Sequence, residues 1–593
     1  MIKQIVSAST GMAVWAAVAA GVARPQTDLI ASVEFASFAD VQQKVADLGT
    51  TINNPVVSMM AIPALQNALT EKFGNFRSDA PMKFLCYADV ATLRRALETD
   101  ALEGLEDAFE PVFLFPSADG AAKFLVNHPE AEKKEDGTIA LEDGTLVLFA
   151  ADGRTCAFAN KAETAKRALA SALAPAASRP LLRAELTQVG VDLLADLHQK
   201  MLKESNQTMA AQGEIVSMLV KIQQASALRQ NAMLRKFARV SMSLDLDQTG
   251  FVTKGEAMMR PGVAVSPAAG FKLPAGALDA LPADAPLFGA LNTWNASGFQ
   301  SEDEYRAFSA EVCAALDAVP ASLGPKCPPA CATAVKDLCS LTRDYIKAVP
   351  IPAPTDWSAC AFAFGPKKEP YMTGTVESAN LQQVLAAYGQ FCTALVTAIE
   401  KSWPGVISAS GTRLTIDWNR LVDVVDAAVA GPNAPQGNAA EKAQVKTILA
   451  AVLGGTKSDI AHVQPAQTSS RIYLGPQGFT PPAAVPACEG RLAAALPEAA
   501  ANRPDGVVYL SLYSLLRDHV LPIALKVIPE ESQKEIRQIM AVLPPAGANG
   551  AIVFATWNEK GASRMLLRIT KDEIRNIGMA VNAVIAAQVQ TAQ

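Results

Sequence analysis

The chain has 593 residues, with 52 Lys and Arg against 58 Asp and Glu and a formal charge of −6. Apolar residues make up 50% and aromatics 6%, which excludes a disordered chain and describes a globular, helix-rich protein of about two to four domains. Mild acidity without a basic block argues against nucleic acid as a partner.

The N-terminus reads MIKQIVSASTGMAVWAAVAAGVARPQ. Lys3 gives a short positive start, an uncharged run follows from Gln4 to Ala23, and Gly21-Val22-Ala23 supplies the small residues a signal peptidase accepts. Residues 1–23 therefore read as a cleaved signal peptide, with a periplasmic or secreted destination. The rival reading is a retained anchor helix, which so many Ala, Gly and Ser residues make a weak span. No later run of roughly 18 apolar residues occurs, so the mature chain is expected to have no transmembrane span.

Further along, FADVQQKVADL (38–48) and YADVATLRRAL (87–97) each follow a short apolar run and open a helical pattern. Asp40 and Asp89 are expected to cap these helices, and Asp119 in FLFPSADGAAKFL a third. LDLDQTGFVTKGE (244–256) places Asp245, Asp247, Thr249, Gly250 and Glu256 at positions 1, 3, 5, 6 and 12 of a calcium-binding EF-hand loop. The surroundings argue for a β-hairpin instead. Val240, Met242, Leu244 and Leu246 alternate, and Pro261 forbids a proper second helix. Gln248-Thr249-Gly250 is then the turn, with glycine free to take an unusual φ.

The Pro- and Ala-rich stretch 261–286 is the best candidate for a domain boundary. Beyond it, SEDEY (301–305) resembles a capping box ahead of a helix. Cys313, Cys327, Cys331 and Cys339 lie on two helical stretches flanking a Pro-rich turn, which predicts a helical hairpin over 301–348. In an oxidising compartment the preferred pairing is Cys313–Cys339 with Cys327–Cys331, one of three connectivities. A zinc site is the weaker alternative, because paired CxxC knuckles and a nearby His are missing. The uncharged stretch from Ser378 to Ile399 reads as an amphipathic helix.

Two parts of the chain look alike. ETAKRALASALAPAASRPLLRAELTQVGVDLL (163–194) and CEGRLAAALPEAAANRPDGVVYLSLYSLL (488–516) both give an Ala-rich helix, a Pro-bearing turn, a strand and a helix. Each leads on to a pair of alternating runs, RVSMSLDLDQTGFVTKGEAMM (239–259) and GAIVFATWNEKGASRMLLRIT (550–570). A third such pair is SACAFAFGPKKEPYMTGTVES (358–378). An internal duplication, 24–265 against 280–593, is the expectation.

No constellation of nucleophile, base or metal ligands emerges, so no catalytic, cofactor or metal residue is nominated. His128, His198, His462 and His519 stand apart in sequence, and GGTKS (454–458) lacks phosphate-loop spacing. The stretches DGTLVLFAADGRTCAFANKAETAKRAL (143–169) and LPADAPLFGALN (281–292) resemble a group of exported bacterial proteins of unknown function. That resemblance implies two related α+β halves after a signal peptide and a place in the bacterial envelope.

The expected fold class is α+β: two related halves, each a mainly antiparallel sheet with long helices on one face. The expected role is a non-enzymatic binding, scaffolding or chaperone-like component without a cofactor. Its partner would be another envelope protein or an extracellular ligand. An exported hydrolase without a visible motif and a calcium-stabilised adhesin are the alternatives.

Overall fold

The structure is a computed structural model. It describes residues 27–52, 63–70, 75–99, 108–170, 180–210, 230–263, 265–299, 301–322, 329–430, 439–463, 466–479, 488–528, 530–545 and 550–592. The expected signal segment 1–23 lies outside them. The protein is α+β, mixing helices with antiparallel sheet. Two compact units divide it: Met1–Lys203 with Leu228–Val263, and Glu204–Ala227 with Ala264–Gln593. Among the described residues no helix is long and apolar enough to cross a membrane.

In unit 1 the strands are β1 (Asp28–Phe35), β2 (Met82–Ala88), β3 (Phe109–Pro116), β4 (Glu132–Lys133), β5 (Ile139–Ala140), β6 (Leu146–Phe149), β7 (Thr155–Ala159), β8 (Leu182–Leu186), β9 (Phe237–Asp247) and β10 (Gly250–Met259). They pair antiparallel throughout, in the order 4-5-6-7-3-2-1-8-9-10. The intervening helices include α1 (Phe38–Thr51), α2 (Val90–Thr99), α3 (Gly120–Asn127), α4 (Ala162–Ala170) and α5 (Gln188–Ala210).

Period-two alternation sorts this sheet into two faces. Against α4 lie Leu85, Tyr87, Val112, Leu114, Ala157 and Ala159, which bury Ala165 and Ala168 of that helix. Farther along the same face the ladder turns polar, running Lys83, Glu34, Arg183, Ser243, Lys254 across β2, β1, β8, β9 and β10. On the opposite face the row Phe113, Phe84, Val33, Ala184, Met242, Gly255 carries no charge. The helix α3 covers that face near β7, where Phe124 packs with Phe115, Val147 and Phe158.

Unit 2 holds β11 (Leu287–Asn292), β12 (Trp357–Phe364), β13 (Pro370–Glu377), β14 (Ile407–Ser410), β15 (Arg413–Asp417), β16 (Lys457–Val463), β17 (Ser469–Pro476), β18 (Gly506–Leu510), β19 (Ile552–Glu559) and β20 (Ala562–Thr570). Its antiparallel order is 14-15-16-17-13-12-11-18-19-20. Strand for strand this is the order found in unit 1. The helices include α6 (Glu302–Ala318), α7 (Pro329–Ala348), α8 (Leu381–Ser402), α9 (Trp418–Ala430), α10 (Ala439–Leu453), α11 (Cys488–Ala495), α12 (512–527, three helical segments in succession), α13 (Glu530–Val542) and α14 (Lys571–Ala592). The uncharged stretch from Ser378 forms α8, as its periodicity predicts. Helices lie on both faces rather than one: α11 covers one face, while α8 packs Cys392 and Leu395 on Leu414 and Ile460 of the other.

The stretch 261–286, expected as a domain boundary, contains the division between the units, after Val263, but is mostly part of unit 2. Leu278 and Leu281 are buried, Ala268 joins Trp294 and Phe299 in a core cluster, and the Leu273 N–H donates to the Pro504 carbonyl at 3.0 Å. Prolines there shape a closely fitted chain path rather than a free tether.

One arginine in each unit locks the segment that enters the first strand. In unit 1, Arg167 of α4 donates to the Thr27 carbonyl (2.7 Å) and hydroxyl (2.8 Å), with its guanidinium 4.0 Å from the Tyr87 ring centre. In unit 2, Arg491 of α11 donates to the carbonyls of Ala283 (2.9 Å) and Ala285 (2.8 Å). It lies 4.7 Å from the Tyr509 ring centre, and Tyr509 stacks on Phe288 at 4.5 Å. Planar guanidinium groups suit this work because they stack on a ring and donate in the ring plane at once.

A buried carboxylate holds unit 2 at the base of β18. Asp505 accepts from the Thr556 hydroxyl (2.8 Å) and from the side-chain amides of Asn295 and Asn558 (2.6 Å each). It ties β19 to the short helix Thr293–Ser297 that follows β11. Asp505→Ala removes three hydrogen bonds to a buried carboxylate, two of them from half-buried amides, so urea unfolding should show a loss of about 2–4 kcal/mol. A loss below about 1 kcal/mol would mean that the network is dispensable.

Candidate functional site: an open sheet face in unit 2

The sequence-predicted motifs resolve into structural roles. Residues 244–256 form the β9–β10 hairpin, with Gly250 at φ 137° beside Asp247. Asp247 accepts from the backbone N–H groups of Thr249 (2.7 Å) and Gly250 (3.2 Å), closing the turn. Asp245 pairs with Lys44. Glu256 sits opposite Ser241, four residues along the ladder from Asp245, so the two carboxylates are about 13 Å apart in strand direction. They cannot share an ion in this fold.

Of the three expected caps, Asp89 behaves as read, accepting from the Thr92 N–H at 3.1 Å. Asp40 is a correction: the N-cap is Ser37, which accepts from the Asp40 N–H (3.1 Å) while its hydroxyl donates to the Asp40 carboxylate (2.7 Å). The cap thus lies one turn earlier than Asp40, at the residue just before the helix. Asp119 occupies the N-cap position but binds Lys123, and Ser117 accepts the free N–H groups instead. Ser301 caps α6 as expected.

The helical hairpin of α6 and α7 forms, yet Cys313 and Cys339 are buried free thiols. Cys313 faces the Arg343 carbonyl at 4.0 Å, one helical turn past Cys339. That offset is why the expected bridge does not close. The Cys327–Cys331 pairing lies outside the described side chains. Among the described residues no three His, Cys, Asp or Glu are placed to hold a metal. In GGTKS, Gly454 turns the chain from α10 into β16, and Ser458 accepts from the Trp418 indole at 2.8 Å.

Sequence reasoning missed a different feature. Across β13, β12, β11, β18 and β19, three consecutive ladder rows point to one face. They read Met372, Phe362, Leu287, Leu510, Ile552; then Gly374, Cys360, Gly289, Val508, Phe554; then Val376, Ser358, Leu291, Gly506, Thr556. None of these residues carries a charge. Their neighbours on the other face are sealed: Tyr371 is 2% exposed, Tyr509 1% and Val553 0%. On the charge-free face Met372 is 40% exposed, Val508 42% and Phe554 37%. Antiparallel sheets that leave one face uncovered normally make it polar, so an open apolar face is the informative exception.

The middle row is also low. Gly374 and Gly289 flank Cys360, giving three small residues on adjacent strands. A Cβ on Gly289 would come 2.6 Å from the Val507 carbonyl oxygen, and one on Gly374 2.5 Å from that of Ala359. Close strand approach therefore excludes any larger residue at either position. Bulky neighbours in the flanking rows turn this into a shallow pit about two strand spacings, roughly 10 Å, across.

The face has defined borders. On one side α8 covers Leu414 and Ile460. At the β12–β13 turn, Phe364 packs edge-on to Phe362 (5.0 Å) and flat against His519 of α12 (3.9 Å). Here α12 is wound more widely, with the Leu521 N–H bonded to the Leu516 carbonyl. Such one-turn expansions displace a helix face locally and recur at functional sites. Burial holds the His519 pKa below its ordinary value; the positive charge of Lys368 lowers it further, and the negative charges of Asp518 and Asp284 oppose this. Neutral His519 can thus stack on Phe364 as an aromatic plate. Lys367 and Lys368 are exposed in that turn. On α12 itself Leu516 (45% exposed) and Val520 (42%) are exposed to solvent.

No protein-family model, curated protein or solved structure matches this chain. The site is thus defined by its geometry alone.

One buried acid in unit 2 belongs to the frame. Glu573, in the first turn of α14, is fully buried and accepts from the Tyr513 N–H (2.7 Å), capping α12. Burial raises its pKa, and the Tyr513 and Leu512 amides only partly offset this. The folded state then holds a proton that the unfolded chain has lost. Its contribution is complete below the unfolded pKa and is lost as pH rises through the folded one. Stability measured by urea between about pH 4 and 7 should fall more steeply in the wild type than in Glu573→Gln, and parallel curves would contradict the assignment.

Proposed function

We propose that the protein is an exported, non-enzymatic binding protein that takes up an apolar ligand on the open face of its C-terminal sheet. The observation that carries this reading is the run of three charge-free ladder rows across five strands, in which Met372, Cys360, Leu291, Val508 and Phe554 are exposed and most of the others half-buried. Isolated exposed hydrophobics are ordinary on any surface, but a contiguous and bordered apolar floor serves recognition. The composition of residues 1–23 supports export to the periplasm or beyond the cell, where the envelope proteins that this chain resembles are expected. Descent of both units from one duplicated ancestor is part of the proposal. It is supported by the common strand order and by Arg167 and Arg491 gripping equivalent segments.

The test is binding of a neutral apolar dye such as Nile red to the full chain. Val508→Asp and Phe554→Asp place a charge on half-exposed positions, so the fold should persist by circular dichroism while dye affinity drops at least about tenfold, the scale of desolvating one carboxylate. Unchanged dye binding in both variants would remove this face as the site.

A further inference from the structure

We infer that residues 515–527 of α12 are an acid-released flap, docked on the β12–β13 turn while His519 is neutral and undocked once its ring carries a second proton. The inference concerns this helix alone and stands whether or not the floor binds a ligand.

The segment is built to move. Its first six residues, Leu515–Val520, are wound as a π-helix, and Pro522 follows in the first turn of the next helical segment. Proline has no N–H to give, so the backbone is weakest where the two windings join. None of the side chains from Leu515 to Val527 is fully buried. An element that seals so little apolar surface opens at low cost. What ties it to the β12–β13 turn is the His519 ring, lying on Phe364 at 3.9 Å and 7° from parallel.

Geometry makes that tie depend on protonation. The Nδ1 atom of His519 is buried and has no hydrogen-bond partner. The neutral ring can keep its one proton on Nε2 and leave Nδ1 as a bare lone pair, whereas the imidazolium carries an N–H at both nitrogens. In the docked position the Nδ1–H would be buried without an acceptor, which costs the full desolvation of that donor. Swinging into water satisfies it.

The surrounding charges do not reverse this. Lys368 of the turn opposes a second proton, while Asp518 and the exposed Asp284 favour one, and burial outweighs them. Asp518 is already held by Ser514 (3.1 Å) and Arg517 (2.6 Å). In the same turn Lys367 is exposed, and Glu369 is folded against Gly365 beside Phe479, which packs on Tyr371 of the sealed face. Against 521–527 pack α10, whose Lys442 and Lys446 pair with Asp426 and Asp423, and α13, which carries Glu530, Lys534 and Arg537. At the other end α14 brings Glu573, whose contribution is lost as pH rises, the opposite sense to an acid release. For His519 the folded pKa lies below the unfolded one. Docking is therefore complete above about pH 6.5 and is lost as pH falls through the folded value.

The test is hydrogen exchange of the full chain, read by mass spectrometry at about pH 7.5 and 5.5 and corrected for the intrinsic pH dependence of exchange. Peptides covering 515–527 should lose protection about fivefold or more at the acid value, the scale of one unpaired donor, while β12 and β19 stay protected. His519→Phe keeps a ring on Phe364 and cannot titrate, so its protection should be equal at both values. Phe364→Leu removes the plate and should leave 515–527 equally unprotected at both, with β12 and β19 reporting that each variant is folded. Glu573→Gln should retain the acid release. Unchanged protection in the wild type would overturn the inference. So would an equal acid loss in His519→Phe, which would place the titrating group elsewhere. A loss that spreads to β12 and β19 would mean global unfolding and would overturn the local flap.

Discussion

The two-residue period of the antiparallel ladder is the constraint on which the rest of this protein depends. Every strand must show successive side chains to opposite faces, so each sheet has two surfaces to dispose of. In unit 2 one surface is closed by α11 and by the Pro-rich stretch before β11. The other is covered by α8 over β15 and β16 and by α12 at the β12–β13 turn, where His519 lies on Phe364. Ten strands make a sheet wider than the helices available on that side can cover. What remains over β13, β12, β11, β18 and β19 is an exposed floor. Its composition is a matter of sequence, and the sequence made it apolar.

Keeping such a floor requires the other face to be firmly held. Arg491 contributes by joining α11, the Tyr509–Phe288 stack and the carbonyls of the incoming chain in a single contact set. Arg568, buried on β20, adds a two-pronged pair with Glu498 at 2.8 and 2.6 Å. Asp505 pins the base of β18 to its neighbours. These are directional, partly desolvated contacts, and they fix register more than they add stability. Register matters here because a slip of one residue would bury the floor's Met, Val and Phe side chains and expose Tyr371, Tyr509 and Val553.

Much of the fold was legible in the sequence. The hairpin at 239–259 was visible because alternation and Pro261 outweighed a chelating pattern. The α+β class and the helices of 301–348 followed from periodicity and turn residues. Failures came where the sequence leaves one turn of ambiguity. Asp40 and Ser37 both suit an N-cap, and only the backbone trace decides which reaches the free N–H groups. Cys313 and Cys339 lie opposite each other in a symmetric hairpin, but the actual register shifts them by a turn, and spacing alone does not fix the register. The open face had a weak signal. SACAFAF, GVVYL and AIVFATW are apolar at odd and even positions alike, as in strands buried on both faces. Read singly they predict core. That one of their faces stays uncovered depends on the number of strands and the reach of distant helices, which no local stretch encodes.

The glycines of the floor argue that the pit is a property of the backbone and not a gap left by chance. Gly in a strand interior costs roughly 0.5–1 kcal/mol relative to Ala, and two neighbouring instances would ordinarily be replaced. Here replacement is barred, because a Cβ at Gly289 or Gly374 would collide with a cross-strand carbonyl at 2.6 or 2.5 Å. At these two positions the neighbouring strand's backbone leaves no room for a side chain. The same approach that excludes Cβ atoms deepens the floor and leaves Cys360 as its tallest central side chain. The low middle row and the absence of charge thus belong to one stretch of sheet, where Gly374, Cys360 and Gly289 meet on adjacent strands among apolar neighbours.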